Sequence, residues 1–166
     1  MNDREFTMVS PAVWSSERFI RLDDAGRLLL LYFISGPHQT KIGCARIREA
    51  YALADLGWTA DKYRPALASL IDAGLILHDA TSSEVYVLRW FDHKGSLPTN
   101  KDHARGWQKL VSKNDSDTIR QQVEVDFMST KWGAQIAPPA NDEPASKAPF
   151  SHVSESLLKT RLLKTM

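Results

Sequence analysis

A chain of 166 residues, 43% of them apolar and 25% charged, can form one core of about 100 to 150 residues plus extensions. Its single cysteine, Cys44, excludes an internal disulfide and fits a reducing compartment, and the net charge is only +1. No apolar run reaches the roughly 18 residues that a membrane span needs, and the polar start lacks a signal-peptide pattern. We therefore expect a cytoplasmic protein that does not bind membranes.

The first strong helix pattern follows an extended arm predicted over residues 6–14. Asp23 and Asp24 suit a helix N-terminus, and Gly36-Pro37 ends the pattern. Apolar residues surround this helix almost completely, which predicts a buried helix. Residues 41–44 then predict a short strand, and residues 45–56 predict a second helix with Ile47, Tyr51, Leu53 and Ala54 facing inward.

A helix-turn-helix is predicted next. Gly57 can end the second helix at positive φ, and Thr59 or Asp61 can cap a third helix that starts near Lys62 and keeps Pro65 in its first turn. Gly74 closes that helix. Two β-rich runs, residues 75–78 and 84–90, then flank a polar tip. A helix-turn-helix followed by a hairpin indicates a winged helix-turn-helix domain, predicted over residues 1–95 with its N-terminal arm.

Basic character is concentrated just beyond this hairpin. Residues 93–113 contain five lysines or arginines against one acid, Asp102. Thr99 or Asn100 can cap a helix that runs to about residue 113, with a basic residue at every fourth position, while Trp107 can anchor this helix or stack on a base. Residues 116–131 predict another helix. Residues 96–136 are thus predicted to be a helical extension with a basic stripe.

The end of the chain predicts a tethered peptide. Residues 137–149 are rich in Pro, Ala and polar residues and predict a flexible linker. Residues 150–166 predict a short amphipathic tail helix that docks in a groove of a partner, the alternative being a frayed tail with chance leucines. The predicted partner-binding residues are Phe150, Val153, Leu157, Leu158 and Leu162. The whole chain is predicted as α+β, mostly α: a winged helix-turn-helix with a C-terminal helical extension and a flexible tail.

Several motifs occur in a characteristic order along the first part of the chain. They are Val9-Ser10-Pro11-Ala12-Val13-Trp14, Leu22-Asp23-Asp24-Ala25-Gly26-Arg27-Leu28-Leu29-Leu30, Ile42-Gly43, Asp55-Leu56-Gly57, Leu67-Ala68-Ser69-Leu70-Ile71-Asp72-Ala73-Gly74-Leu75-Ile76 and Val87-Leu88-Arg89-Trp90-Phe91-Asp92-His93. Over about residues 6–95 the chain resembles the N-terminal winged-helix domain of phage and prophage replication-initiation proteins, including the replisome-organiser and DnaD-like group. The resemblance implies DNA binding in replication initiation, with a C-terminal part that recruits a helicase or loader.

Candidate DNA contacts fall into two groups. On the third predicted helix, Lys62, Arg64 and Ser69 can reach bases or phosphates, although Asp61 and Asp72 share that face. Scaffold or oligomer use of this helix is the alternative. The second group can contact phosphates, and its alternative is a plain solvated face. Its members are Lys94, Lys101, Arg105, Lys109 and Lys113.

Catalytic and metal-binding patterns are not found in the sequence. The five histidines lack metal-ligand spacing, Cys44 has no cysteine partner, and no Gly-rich phosphate loop occurs. We therefore expect no enzyme, metal or cofactor. The predicted function is DNA binding in replication initiation or replisome recruitment, with DNA, a helicase or loader, and a possible homo-oligomer as partners. The alternatives are a winged-helix transcriptional regulator, and a phage adaptor or host-takeover protein that uses the fold only for protein contacts.

Overall fold

The computed structural model describes residues 7–136, which form an α+β fold dominated by helices. The helices in this range are α1 Glu17–Ile20, α2 Asp24–Ser35, α3 Glu49–Leu56, α4 Ala60–Asp72, α5 Lys101–Val111, α6 Asp117–Met128 and α7 Lys131–Ile136. The strands are β1 Cys44–Arg46, β2 Ile76–Asp79 and β3 Glu84–Val87, and short 3₁₀ helices cover Pro11–Ser15, Trp90–Asp92 and Lys94–Ser96. The predicted linker and tail, with Phe150, Val153, Leu157, Leu158 and Leu162, lie outside the described residues.

Helix α2 has the bounds that its capping residues predict. The Asp23 carboxylate accepts a hydrogen bond from the Gly26 amide at 2.7 Å, and the helix ends before Gly36. Leu29 and Phe33 are fully buried, but Leu28 is 48% exposed. The prediction of burial on all sides is therefore wrong, because only one side of α2 packs against α4 and the sheet.

Helix α3 begins four residues later than predicted. Ala45 pairs with Val85 in the antiparallel ladder, so this part of the chain is strand rather than helix. The predicted inward face is only partly right. Ile47 is buried and Leu53 is half-buried. Tyr51, however, is 52% exposed and Ala54 is exposed, while Ala52 is buried. Residue 45 and its neighbours pair with a strand 40 positions away in the sequence. They are therefore not part of the helix, and they do not determine which of its residues face inward.

The turn between α3 and α4 follows the glycine signals. Gly57 has φ +63° and Gly74 has φ +61°, the left-handed conformations predicted for helix ends. Helix α4 starts at Ala60, two residues earlier than predicted, so Pro65 lies in its second turn. Thr59 occupies the N-cap position without a side-chain hydrogen bond. The predicted N-cap position of Thr59 is therefore confirmed, but its side chain does not form the predicted hydrogen bond.

The three strands form an antiparallel sheet in the order β1-β3-β2. Because paired residues share a face, Leu77 and Tyr86 lie on one side of the sheet, and His78 and Val85 lie on the other. Helices α2 and α4 contact the sheet, and α6 contacts both β2 and β3. The Tyr86 hydroxyl donates to the Asp126 carboxylate of α6 at 2.8 Å, which fixes the side that α6 covers. All four residues of β3 are buried between these layers.

The helical extension packs onto the sheet and the aromatic residues that follow it. Asn100 caps α5 by accepting from the His103 amide at 2.8 Å, as its position in the sequence predicts. Phe91 packs against Trp107 of α5 and Phe127 of α6, with ring centroids 6.3 and 5.4 Å away. Helix α7 contacts both α5 and α6. None of the helices in residues 7–136 is both long and apolar enough to cross a membrane.

Burial makes Cys44 a probe of folding. Its side chain is 2% exposed, and burial raises the pKa of its thiol to about 12. The reactive thiolate is therefore almost absent near neutral pH in the folded state. We expect iodoacetamide to modify Cys44 at least about 100-fold more slowly in buffer than in urea at the same pH, because labelling requires opening of the fold. Equal rates, measured by mass spectrometry, would contradict this burial.

Candidate nucleic-acid interface

The basic stripe consists of Lys101, Arg105, Lys109 and Lys113, all exposed along one side of α5 and the turn after it. Successive members are separated by about 6 Å along the helix axis. Arg105 contacts the Asp102 carboxylate at 3.3 Å, but both side chains are largely exposed, so the pair is weak. Within residues 7–136 the three lysines form no ion pair. The stripe is therefore a surface with a net charge of +3 that solvent ions can reach.

The opposite side of α5 explains why the stripe faces solvent. Ala104 and Val111 are buried, and Trp107 packs against Phe91 and Phe127. These contacts fix the rotation of the helix, so its basic residues point outward. They also hold the indole of Trp107 in packing, which supports the anchoring alternative for this residue over base stacking.

A groove between α5 and α6 extends the stripe. It has a volume of about 450 Å³, and Lys109 and Arg120 are among its lining residues, together with Glu124. The Arg120 guanidinium donates to the Asn114 carbonyl at 3.0 Å and pairs with Asp117. Sequence reasoning did not identify Arg120, although its position after the Ser116 cap could have placed it in the first turn of α6.

The exposed face of α4 has nearly balanced charges. Arg64 forms a two-point contact with Glu49 of α3, with nitrogen–oxygen distances of 3.0 and 3.3 Å. Hydrogen bonding to Glu49 raises the pKa of Arg64. Lys62 places its ammonium 4.4 Å from the centre of the Trp58 ring, a cation–π contact. With Asp61 also exposed, this face attracts phosphate less strongly than the stripe does.

Two further predicted contacts lie elsewhere. The Ser69 hydroxyl donates to the Ala66 carbonyl at 2.8 Å, and it lies beside Gly26 where α4 packs on α2. The structure therefore places Ser69 between two helices rather than on the exposed face. Lys94 belongs to a short 3₁₀ helix, and its side chain is outside what the structure describes. Arg48, which sequence reasoning missed, is exposed at the start of α3.

The two groups of predicted DNA contacts belong to different layers. Helix α4 packs on α2, α3 and β2, whereas α5 packs on α6 and α7. Helix α6 covers the side of the sheet that carries Tyr86, so the extension packs on that side. The fold therefore places Lys62 and Arg64 in a different group of packed helices from the stripe.

A buried carboxylate at the turn end of the β2–β3 hairpin joins the hairpin to the extension. Glu84 is 3% exposed, and it accepts hydrogen bonds from the backbone amides of Asp115 and Ser116 at 2.9 and 2.8 Å. The Arg46 guanidinium also donates to it at 3.2 Å, and the Ser82 hydroxyl at 3.3 Å. The Glu84 side chain thus links the start of α6 to the hairpin.

The hairpin tip, residues 80–83, has no charged side chain, and its backbone is held by hydrogen bonds to Asp79. Asp79 accepts from the amide of Thr81 at 2.8 Å, which forms a tight turn. A hydrogen bond from Ser116 and these amide bonds lower the pKa of Asp79. No lysine or arginine lies between Asp79 and Glu84, so the tip offers hydroxyl and backbone groups only.

Comparison with known proteins leaves the site to be judged from its own geometry. No protein-family model matches the chain, and neither a curated protein nor a solved structure matches it significantly. Within residues 7–136, no group of three or more His, Cys, Asp or Glu side chains is arranged to hold a metal ion.

Proposed function

We propose that the chain is a winged-helix DNA-binding protein of phage type that acts in replication initiation or replisome recruitment. Two observations support the winged-helix assignment: the element order α2-β1-α3-α4-β2-β3 and the antiparallel strand order β1-β3-β2. The resemblance of residues 6–95 to phage initiators supports the biological role. A transcriptional regulator with the same fold is the alternative within this class.

The observation that carries DNA binding is the stripe on α5. Lys101, Arg105, Lys109 and Lys113 recur on one solvent-facing side, in a chain whose net charge is only +1. Four cations at regular spacing can each neutralise a phosphate and release a condensed counterion. These contacts are made to the phosphate backbone and not to the bases, so they supply affinity without strong sequence preference.

The mechanism is binding and recruitment without bond-breaking chemistry. The stripe holds the phosphate backbone, while the α4 face, with Arg64 already paired to Glu49, adds little long-range attraction. Arg64 would have to leave Glu49 to reach a base or phosphate. We therefore assign most of the salt-dependent affinity to α5.

The balanced charge of the α4 face favours a second candidate, an adaptor that uses the fold only for protein contacts. A helix with Asp61, Lys62, Arg64 and Asp72 on its outer side suits a partner with mixed charges as well as it suits DNA. In this case the stripe is a solvated surface.

Two charge-matched variants test where DNA binds. One replaces Lys101, Arg105 and Lys109 with alanine, and the other replaces Arg48, Lys62 and Arg64. Each removes three positive charges, so a difference between them reports position rather than net charge. Fluorescence anisotropy with random-sequence duplex, titrated at several salt concentrations, measures the slope of log affinity against log salt.

For the wild type we expect a slope of about −3.6, corresponding to four phosphate contacts. For the variant at Lys101, Arg105 and Lys109, the α5 variant, the slope should be shallower by about 2.7. For the variant at Arg48, Lys62 and Arg64, the α4 variant, the slope should stay near the wild-type value. If only the α4 variant becomes shallower, DNA binds through α4 and the stripe assignment is wrong. If the wild type shows no affinity at about 100 mM salt, the adaptor replaces the DNA-binding proposal.

A further inference from the structure

Exposed apolar side chains are concentrated near the start of the described chain. Of the eight large exposed hydrophobic residues in residues 7–136, five lie between positions 8 and 28. The five are Met8, Val9, Trp14, Ile20 and Leu28. The other three are on three different helices: Tyr51 on α3, Ile71 on α4 and Val125 on α6. The clustering marks this part of the chain, since isolated exposed apolar residues are ordinary.

Direct contacts join Trp14 to α1, and α1 to α2. The Trp14 ring packs edge-on against Phe19, with centroids 5.2 Å apart, and the Arg27 guanidinium lies 5.8 Å from the same ring. Arg27 also donates to the Ile20 carbonyl at 2.6 Å, which ties α2 to α1. Phe19 is buried, so the other side of α1 presents its neighbours to solvent. We call Trp14, Glu17, Ile20 and Arg21 the N-terminal patch.

The charges of the N-terminal patch are self-complementary. Glu17 and Arg21 are one helical turn apart, 3.6 Å from each other, with side chains 85% and 81% exposed. If a two-fold axis passes between them, Glu17 of one copy meets Arg21 of the other, and the reverse pair forms at the same time. Trp14 and Ile20 of the two copies then cover one another beside these two reciprocal pairs.

We propose that the N-terminal patch is the interface of a symmetric homodimer. An apolar centre with a self-complementary charged border fits a second copy of this chain, because a two-fold interface uses the same surface on both subunits. This dimer does not depend on nucleic-acid binding, since the α5 stripe is no part of the patch. The dimer would carry two α5 stripes, one from each copy.

Sedimentation experiments on the full chain test the dimer over about 1 to 100 μM. We expect the mass to rise from 18.7 kDa to twice that value. Glu17→Arg and Arg21→Glu should each raise the dissociation constant at least about tenfold, because like charges then face each other. The double variant Glu17→Arg/Arg21→Glu should return to within about threefold of the wild type, because both pairs reform with exchanged partners.

Matched controls separate the patch from general effects. Trp14→Ala should weaken the dimer at least about tenfold, whereas Val125→Ala, at another exposed apolar side chain, should leave it unchanged. Asp102→Arg reverses a charge in another exposed helical pair and should also have no effect. A monomer at every concentration, a failure of the charge exchange to restore the dimer, or equal effects of the controls would each overturn the proposal.

Discussion

Replacing Gly43 with alanine is expected to lower the free energy of unfolding by about 3 kcal/mol or more, because two penalties combine. Gly43 has φ +74°, which is strained for any residue with a Cβ atom. A Cβ atom at this position would also lie 2.4 Å from Cγ of Trp90. The indole is held in place because its Nε1 donates to the Lys41 carbonyl at 2.9 Å. Urea unfolding followed by circular dichroism measures the loss.

Two other glycines separate these penalties. Gly57 has φ +63° but an open surrounding, so Gly57→Ala should cost only about 1 to 2 kcal/mol. Gly106 lies inside α5 with nothing near its Cβ position, so Gly106→Ala should stabilise the protein by about 0.5 to 1 kcal/mol. If Gly43→Ala costs no more than Gly57→Ala, the contact with Trp90 is not as tight as the structure has it.

Replacing Glu84 with glutamine should lower the free energy of unfolding by about 3 kcal/mol, since a buried charged acceptor is lost. The side chain keeps its shape, but one oxygen becomes an amide that donates. Every group around the carboxylate already donates: two backbone amides, the Arg46 guanidinium and the Ser82 hydroxyl. At least one donor then faces another donor in a buried place.

Asp115→Asn is the matched control for Glu84→Gln. Asp115 also pairs with Arg46, but its side chain is 65% exposed, so its loss should cost less than about 1 kcal/mol. Both variants remove one negative charge beside the same guanidinium. Equal losses in urea unfolding would show that the charge near Arg46 matters and the burial of Glu84 does not.

Local signals in the sequence predicted the elements whose causes are local. The Asp23 and Asn100 caps act within a few residues, so the starts of α2 and α5 were predictable. The left-handed glycines 57 and 74 act equally locally, so the C-terminal ends of α3 and α4 were predictable as well. The start of α3 was not, because β1 extends to Arg46 only through its pairing with β3. Exposure of Trp14 was equally unpredictable, since the large apolar area of a tryptophan ring favours burial.

The candidate site also combines features with local causes, which the sequence predicted, and features that depend on long-range packing, which it did not. The spacing of four between Lys101, Arg105 and Lys109 predicted a common side of α5, and the structure has them exposed there. The pairing of Arg64 with Glu49 joins residues 15 positions apart on different helices, and no sequence spacing predicts it. The position of Ser69 against α2 likewise depends on how two helices cross.

The double burial of β3 has a consequence for synthesis on the ribosome. This strand contacts α2, which is made before it, and α6, which is made about thirty residues later. A nascent chain that ends soon after the hairpin has Tyr86 and Glu84 without Asp126 and the amides of Asp115 and Ser116. Translation must therefore continue through α6 before the sheet acquires its final partners, and a pause before that point leaves a partly covered sheet available to chaperones or to other chains.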